Sequence, residues 1–252
     1  VYIKVINPNT TASMTAKIEE CARAVAGPDT FVEAVSPSMG PTSIESHVDE
    51  ALSIPGILEQ VVLGETQGVD GYVIACFGDP GMDAAREVAS GPVVGIAEAA
   101  MHTASFLGRG FSVVTTLERT TGRALDLAAH YGMSSRCRGV HACRIPVLEL
   151  ETDANARKVI TETCREALLR DGSDAIVLGC AGMADLCEDI QNAIGVPVVD
   201  GVTAATLFVQ SLVAMGLRPS KSGEFAPPPP KPYAGLLAIF GTEVSPRLRH
   251  NH

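Results

Sequence analysis

The sequence has no tryptophan and only five lysines, Lys4, Lys17, Lys158, Lys221 and Lys231, against 29 acidic residues. A net charge of −10, with no cluster of Lys and Arg, argues against a nucleic-acid partner, because phosphate-backbone binding rests on grouped positive charge. None of the five lysines sits where a strand opens into a turn, so a pyridoxal Schiff base is not expected. No run of about 18 uninterrupted apolar residues is present, and no membrane partner is expected. No G-x-G-x-x-G follows a strand, and neither a Walker loop nor a G-x-S-x-G elbow occurs. The opening "VYIKVI" has no charged-then-apolar leader, so no secretory signal is expected either. What remains is a protein that acts on a small molecule without a cofactor.

The 252 residues, 46% hydrophobic and 19% charged, have the composition of a globular protein with a sizeable core. That length suits one large α/β domain or two lobes of roughly 100 residues each. The seven cysteines are odd in number and scattered singly, which fits reduced thiols in a cytoplasmic protein better than a disulfide framework. Cys137, His141 and Cys143 in "CRGVHAC" contain no C-x-x-C and have no second ligand pair, so no metal is expected there.

Strand-like runs alternate with helix-like stretches: "YIKVI" before 9–27, "GYVIACF" before "MDAAREVA", "FSVVTT" before "ERTTGRALDLAAHYG", and "AIVLGC" before a stretch around 184–194. Continuous apolar strands joined through helices predict an α/β sandwich with mostly parallel sheets flanked by helices. "APPPPKPY", 226–233, cannot donate through a sheet or helix interior and should run extended.

The two halves repeat. Gly68, Asp70, Cys76 and Gly78 align with Gly172, Asp174, Cys180 and Gly182 at a constant offset of 104. One inserted residue later, "PVVGIAEAA" aligns with "PVVDGVTAA". The expected organisation is two pseudo-symmetric lobes with the active site in the cleft between them. The first lobe is assigned to 1–97 with 206–225, the second to 98–205, and a Pro-rich C-terminal arm to 226–252.

In open parallel sheets ligands bind beyond the carboxyl ends of the strands, where Cys76 and Cys180 fall. A lone cysteine at a strand end is ordinarily a small core hydrophobe. Two in aligned repeat positions, each near a glycine, point instead to chemistry. A turn and then a helix follow each, and the helix N-terminus is expected to lower the thiol pKa. Facing thiols suit removal of a proton from one side of a carbon and delivery of another to the opposite side. The backbone N–H groups of Phe77, Gly78, Ala181 and Gly182 are placed to hold the oxygen that gains charge.

At "INPNT", "GPTSIES", "ACFGDPG", "GIAEAA", "VVTTLERT", "LGCAGMA" and "VPVVDGV" the chain resembles the Asp/Glu racemase superfamily, and within it the hydantoin and allantoin racemases. These stretches lie in order over roughly 1–220. The resemblance implies two pseudo-symmetric lobes and a cofactor-independent, two-base mechanism with Cys76 and Cys180 as the catalytic pair. Where amino-acid racemases typically carry an acidic residue in the first strand's loop, this chain has "NPNT", and "TT" lies opposite. Neutral amide and hydroxyl groups match the alternating C=O and N–H edge of a cyclic ureide.

Asn9, Thr115 and Thr116 are therefore expected to bind the ring, although Asn9 could instead cap the helix starting near Thr11. Ser43 is assigned to the substituent, with a turn residue as its alternative role, and Phe77 to the pocket wall or the core. Asp79 is read as a turn or capping residue, and no histidine is assigned a role in the site. The competing readings are isomerisation or decarboxylation of a small carboxylate, and a non-catalytic binder. A homo-oligomer is expected.

Overall fold

The computed structural model describes residues 1–238 and 240–241. Two four-stranded sheets, all of whose pairings are parallel, carry the same strand order. The first is β2-β1-β3-β4, from β1 (Tyr2–Ile6), β2 (Phe31–Val35), β3 (Gly71–Ile74) and β4 (Val93–Gly95). The second is β6-β5-β7-β8, from β5 (Phe111–Thr115), β6 (Cys137–Ala142), β7 (Ala175–Leu178) and β8 (Val198–Val199). The helices are α1 (Ala12–Val25), α2 (His47–Gln67), α3 (Met82–Val88), α4 (Ile96–Leu107), α5 (Thr121–His130), α6 (Ala156–Asp171), α7 (Cys187–Ile194) and α8 (Gly201–Ala214). Among the described residues no helix is long and apolar enough to cross a membrane.

The repeated Gly-x-Asp has a physical reason in both halves. Gly68 and Gly172 end α2 and α6 in the left-handed conformation, φ +75° and +60°, which costs glycine little. Two residues later the carboxylate ties down the chain entering the neighbouring strand: Asp70 accepts from the Tyr2 N–H at 2.8 Å, and Asp174 from the Arg109 and Gly110 N–H groups at 2.7 and 3.0 Å. The repeat thus fixes how each buried strand starts.

Strand alternation sorts side chains between two faces. Ile3, Val5, Val73, Phe111, Val113 and Val177 point into a central core filled by α1, α4, α5 and α8. Ile6, Tyr72 and Ile74 pack outward on α2 and α3, while Val114, Ile176 and Leu178 pack outward on α6. Truncating a buried aromatic such as Phe111 to alanine costs about 3–5 kcal/mol. Because one core joins the inner faces of both sheets, the strand ends of the two halves are held at a fixed mutual position.

Some boundaries differ from the sequence expectation. β3 and β7 stop two residues before Cys76 and Cys180, so both cysteines lie in loops. The stretch after Cys180 opens as a 3-10 helix, Ala181–Leu186, before α7. The segment 226–234 has no regular structure and is mostly exposed, and a single 3-10 turn follows at Gly235–Leu237. Of the arm expected over 226–252, Ile239 and 242–252 lie outside the described residues.

Candidate active site

A cavity of about 260 Å³ opens between the carboxyl ends of the two sheets. Cys76 and Cys180 both line it, together with Asn9, Phe77, Gly78, Thr115, Thr116 and Ala181. Two assigned residues fall outside this lining. Gly182 is buried behind Cys180, where an added Cβ would lie 3.6 Å from the Cys180 Sγ and 3.1 Å from Leu150. Ser43 is displaced because the chain turns after it to start α2: Ser46 caps that helix by accepting from the Asp49 N–H at 3.1 Å, which brings Ile44, Glu45 and Ser46 to the cavity instead.

Asn9 lies at the cavity and shapes the approach to α1, but its bond goes to Thr11, the residue that caps the helix, rather than to a helical N–H. Its Oδ1 accepts from the Thr11 N–H at 2.9 Å and from Asn7 Nδ2 at 2.9 Å, closing the loop that leads into α1, while the residue also faces the cavity. Thr115 is held at the end of β5 by contacts of its hydroxyl with the Gly179 carbonyl at 3.3 Å and the Thr120 hydroxyl at 3.0 Å. Phe77 is buried and serves the core as well as the cavity wall.

The expected lowering of the thiol pKa values is overturned. Burial pushes Cys76 up to about 12, with the neighbouring Cys180, Asp79 and Glu50 adding to the rise, and a hydrogen bond from the Gly78 backbone only partly opposes it. Burial likewise pushes Cys180 up to about 11 against a hydrogen bond from the Gly182 backbone. Helix α3 begins six residues after Cys76, and the backbone hydrogen bond to that sulfur comes from Gly78 rather than from the α3 N-terminus. The Gly78 and Gly182 N–H groups address the sulfurs, which leaves Phe77 and Ala181 as the N–H donors of the expected set with no such tie to sulfur.

Asp79 is a capping residue, on α4 rather than on the adjacent α3. Its carboxylate accepts from the Ala97 and Glu98 N–H groups at 3.1 and 2.9 Å and from the Tyr131 hydroxyl at 2.8 Å. Burial outweighs these bonds and lifts its carboxyl to about 6.

The wall is also more charged than expected. Glu45, His47, Glu50, Arg119 and Arg123 border the cavity, and Arg123 pairs with Glu50 at 2.7 Å. Glu45 accepts from the Val147 N–H at 2.7 Å and so joins the two halves. Only the spatial meeting of 44–50 with 115–124 reveals this rim, and no local pattern announces it. Cys137, His141 and Cys143 hold no shared centre: His141 pairs with Asp171 at 2.7 Å, while Cys143 faces the Thr116 carbonyl at 3.7 Å.

Comparison with known proteins gives this arrangement a family. Residues 3–209 match the family model described as Asp/Glu/Hydantoin racemase. A hydantoin racemase from Rhizobium meliloti is 49% identical over 93% of this chain and 98% of its own length. One from Pseudomonas sp. (strain NS671) is 47% identical over 95% of this chain and 96% of its own. The solved structure of an allantoin racemase from Klebsiella pneumoniae superposes with a TM-score of 0.94 at 51% identity, covering 96% of this chain and 99% of that one. The chain belongs to the Asp/Glu/Hydantoin racemase family.

Proposed function

We propose that the protein is a cofactor-independent racemase of 5-substituted hydantoins or allantoin, with Cys76 and Cys180 as its two acid/base groups. The observation that carries this reading is the convergence of two repeat-related thiols on one cavity. The relatives' hydantoin and allantoin activities support the substrate class.

With the ring between the sulfurs, one cysteine, as thiolate, takes the proton at the ring stereocentre. The electron pair moves into the adjacent carbonyl to give an enolate, and the other cysteine, as thiol, delivers a proton to the opposite face. For the other enantiomer the roles exchange. Backbone N–H groups at Phe77 and Ala181 are suited to the enolate oxygen, and Asn9, Thr115 and Thr116 to the ureide edge. Burial keeps both sulfurs protonated in the free enzyme, so the base form is a minor species that each turnover must draw on. All seven cysteines are free thiols, which supports a reducing, cytoplasmic setting.

The test is the decay of the circular-dichroism signal of optically pure allantoin and of L- and D-5-benzylhydantoin, followed in D₂O with mass analysis. Signal loss with one deuterium at the stereocentre is expected for at least one compound. A flat signal for all three with folded protein would overturn the reading.

A further inference from the structure

One charged side chain ties the Cys76 loop to the opposite half of the molecule, and the two-thiol chemistry leaves it without a role. Arg123 sits in the first turn of α5, which follows β5 of the second sheet. Its Nε and Nη2 both donate to the Gly78 carbonyl, at 3.1 and 2.7 Å, and Nη2 also meets Glu50 Oε1 at 2.7 Å. Glu50 comes from α2 of the first half, and its carboxyl group lies 3.7 Å from where a Gly78 Cβ would stand. Gly78 is two residues from Cys76, and Arg123, Glu50 and Gly78 all border the cavity.

A planar guanidinium that grips one carbonyl with two N–H groups and is itself held by a carboxylate fixes direction as well as distance. The Cys180 turn has no counterpart among the described residues. Lys17 of α1, whose charge acts on Cys180, pairs instead with Asp185 at 3.2 Å, five residues downstream. The support is one-sided, so its loss should harm one thiol and spare the other.

Resting on the racemase reading, we propose that Arg123 is a positioning residue for Cys76, clipping the Gly78 carbonyl from across the cleft so that the Cys76 sulfur keeps its station opposite Cys180. Proton transfer demands reacting atoms within hydrogen-bond reach, and small misplacements cost large factors in rate.

The test uses each pure enantiomer of 5-benzylhydantoin in D₂O with the full chain and with the Arg123→Ala, Arg123→Lys and Glu50→Gln variants. Chiral separation and mass analysis give the deuterium in recovered starting material and in product, after subtraction of the uncatalysed exchange. When Cys180 takes the proton, a misplaced Cys76 delivers its own late. The enolate then waits, the Cys180 thiol exchanges with solvent, and deuterium returns to the same face. When Cys76 is the base, Cys180 still delivers promptly and no such return builds up. The enantiomer handled by Cys180 is identified as the one that Cys76→Ser still exchanges.

Arg123→Ala is expected to lower kcat by about tenfold or more while KM stays within about threefold. Deuterium return should rise for the Cys180-handled enantiomer alone. Arg123→Lys keeps the charge but not the fork, and should show the same one-sided return to a smaller degree. Glu50→Gln, which loosens the hold on the guanidinium but leaves both of its donors to Gly78, should show the same one-sided return to a smaller degree than Arg123→Ala. Unchanged kcat in Arg123→Ala, or deuterium return rising equally for both enantiomers, would overturn the proposal. If Arg123→Ala does not fold, Arg123→Lys decides by the same two criteria. Absence of inversion in the unmodified protein would instead sink the racemase reading, so the two failures are separable.

Discussion

Tyr131, the residue that ends α5, donates its hydroxyl to Asp79 Oδ2 at 2.8 Å, reaching from the second half of the molecule to the loop that carries Cys76. Asp79 also receives the first N–H groups of α4 and holds a left-handed backbone, φ +44°, a conformation that costs a non-glycine residue about 1–2 kcal/mol. This buried carboxylate joins the Cys76 loop, a helix of the shared core and the opposite half. Its replacement by asparagine should therefore be visible in stability as a function of pH. Asp79 has its folded pKa raised from 3.8 to about 6. Its contribution is thus fully present below pH 4 and is lost as pH rises through about 6, a span corresponding to about 3 kcal/mol. Urea unfolding of both proteins from pH 4 to 8 should show the wild type losing stability relative to Asp79→Asn across that window and running parallel to it above. A constant difference at all pH values would contradict the assignment.

Gly95, at the N-terminus of α4, faces the same carboxylate, and a Cβ there would collide with the Asp79 Cγ and both carboxyl oxygens. Gly95→Ala should force Asp79 off the helix end and destabilise the fold by about 2–4 kcal/mol, from overpacking together with loss of the cap. Thermal unfolding checks this, and an unchanged Tm would show that the loop relaxes without cost.

Raised thiol pKa values dictate how the protein should respond to base. Cys76 at about 12 and Cys180 at about 11 are protonated at neutral pH. In the free protein, alkylation of either by iodoacetamide should climb about tenfold per pH unit from 7 to 10 without a plateau. The value of kcat/KM should rise over the same range, since that parameter reports the free enzyme's acid and base. Peptide-resolved mass analysis separates the two sulfurs. A plateau near pH 7 at either one would mean that the thiolate is stabilised in a way the burial argument misses.

Asn9 links fold and site, so its truncation should be read on two scales. Asn9→Ala removes the acceptor used by the Thr11 N–H and by Asn7 and should cost about 1–2 kcal/mol of stability. It should also lower kcat/KM by about ten- to a hundredfold if the amide holds the ring. Loss of stability with full activity would leave Asn9 a loop residue only.

What could be read from the sequence was what local chemistry enforces. Gly68 and Asp70, with their partners Gly172 and Asp174, perform the same two jobs in each half, so their spacing survives as a visible repeat that places Cys76 and Cys180 at matching strand ends. Edge strands β2 and β6 were not legible: each pairs along only one side, and their half-exposed residues make no continuous apolar run. Nor was α2, which runs through Pro55, against the usual reading of proline as a helix breaker. The charged rim was hidden because Glu50 and Arg123 lie 73 positions apart and meet only after both sheets have packed on one core. The thiol pKa expectation failed for a related reason. Turn and helix order suggested a positive helix end, whereas burial depth and the acidic neighbours Asp79 and Glu50 decide the outcome.

The most direct test of the two-thiol account is to incubate each pure hydantoin enantiomer in D₂O with Cys76→Ser and, separately, with Cys180→Ser. Neither variant should invert the stereocentre. Each should exchange its proton for deuterium in one enantiomer only, with the remaining cysteine acting as base on the face it reaches, and the two variants should choose opposite enantiomers. Inversion surviving in either variant, or both variants exchanging the same enantiomer, would contradict a mechanism in which the two sulfurs work from opposite faces of one carbon.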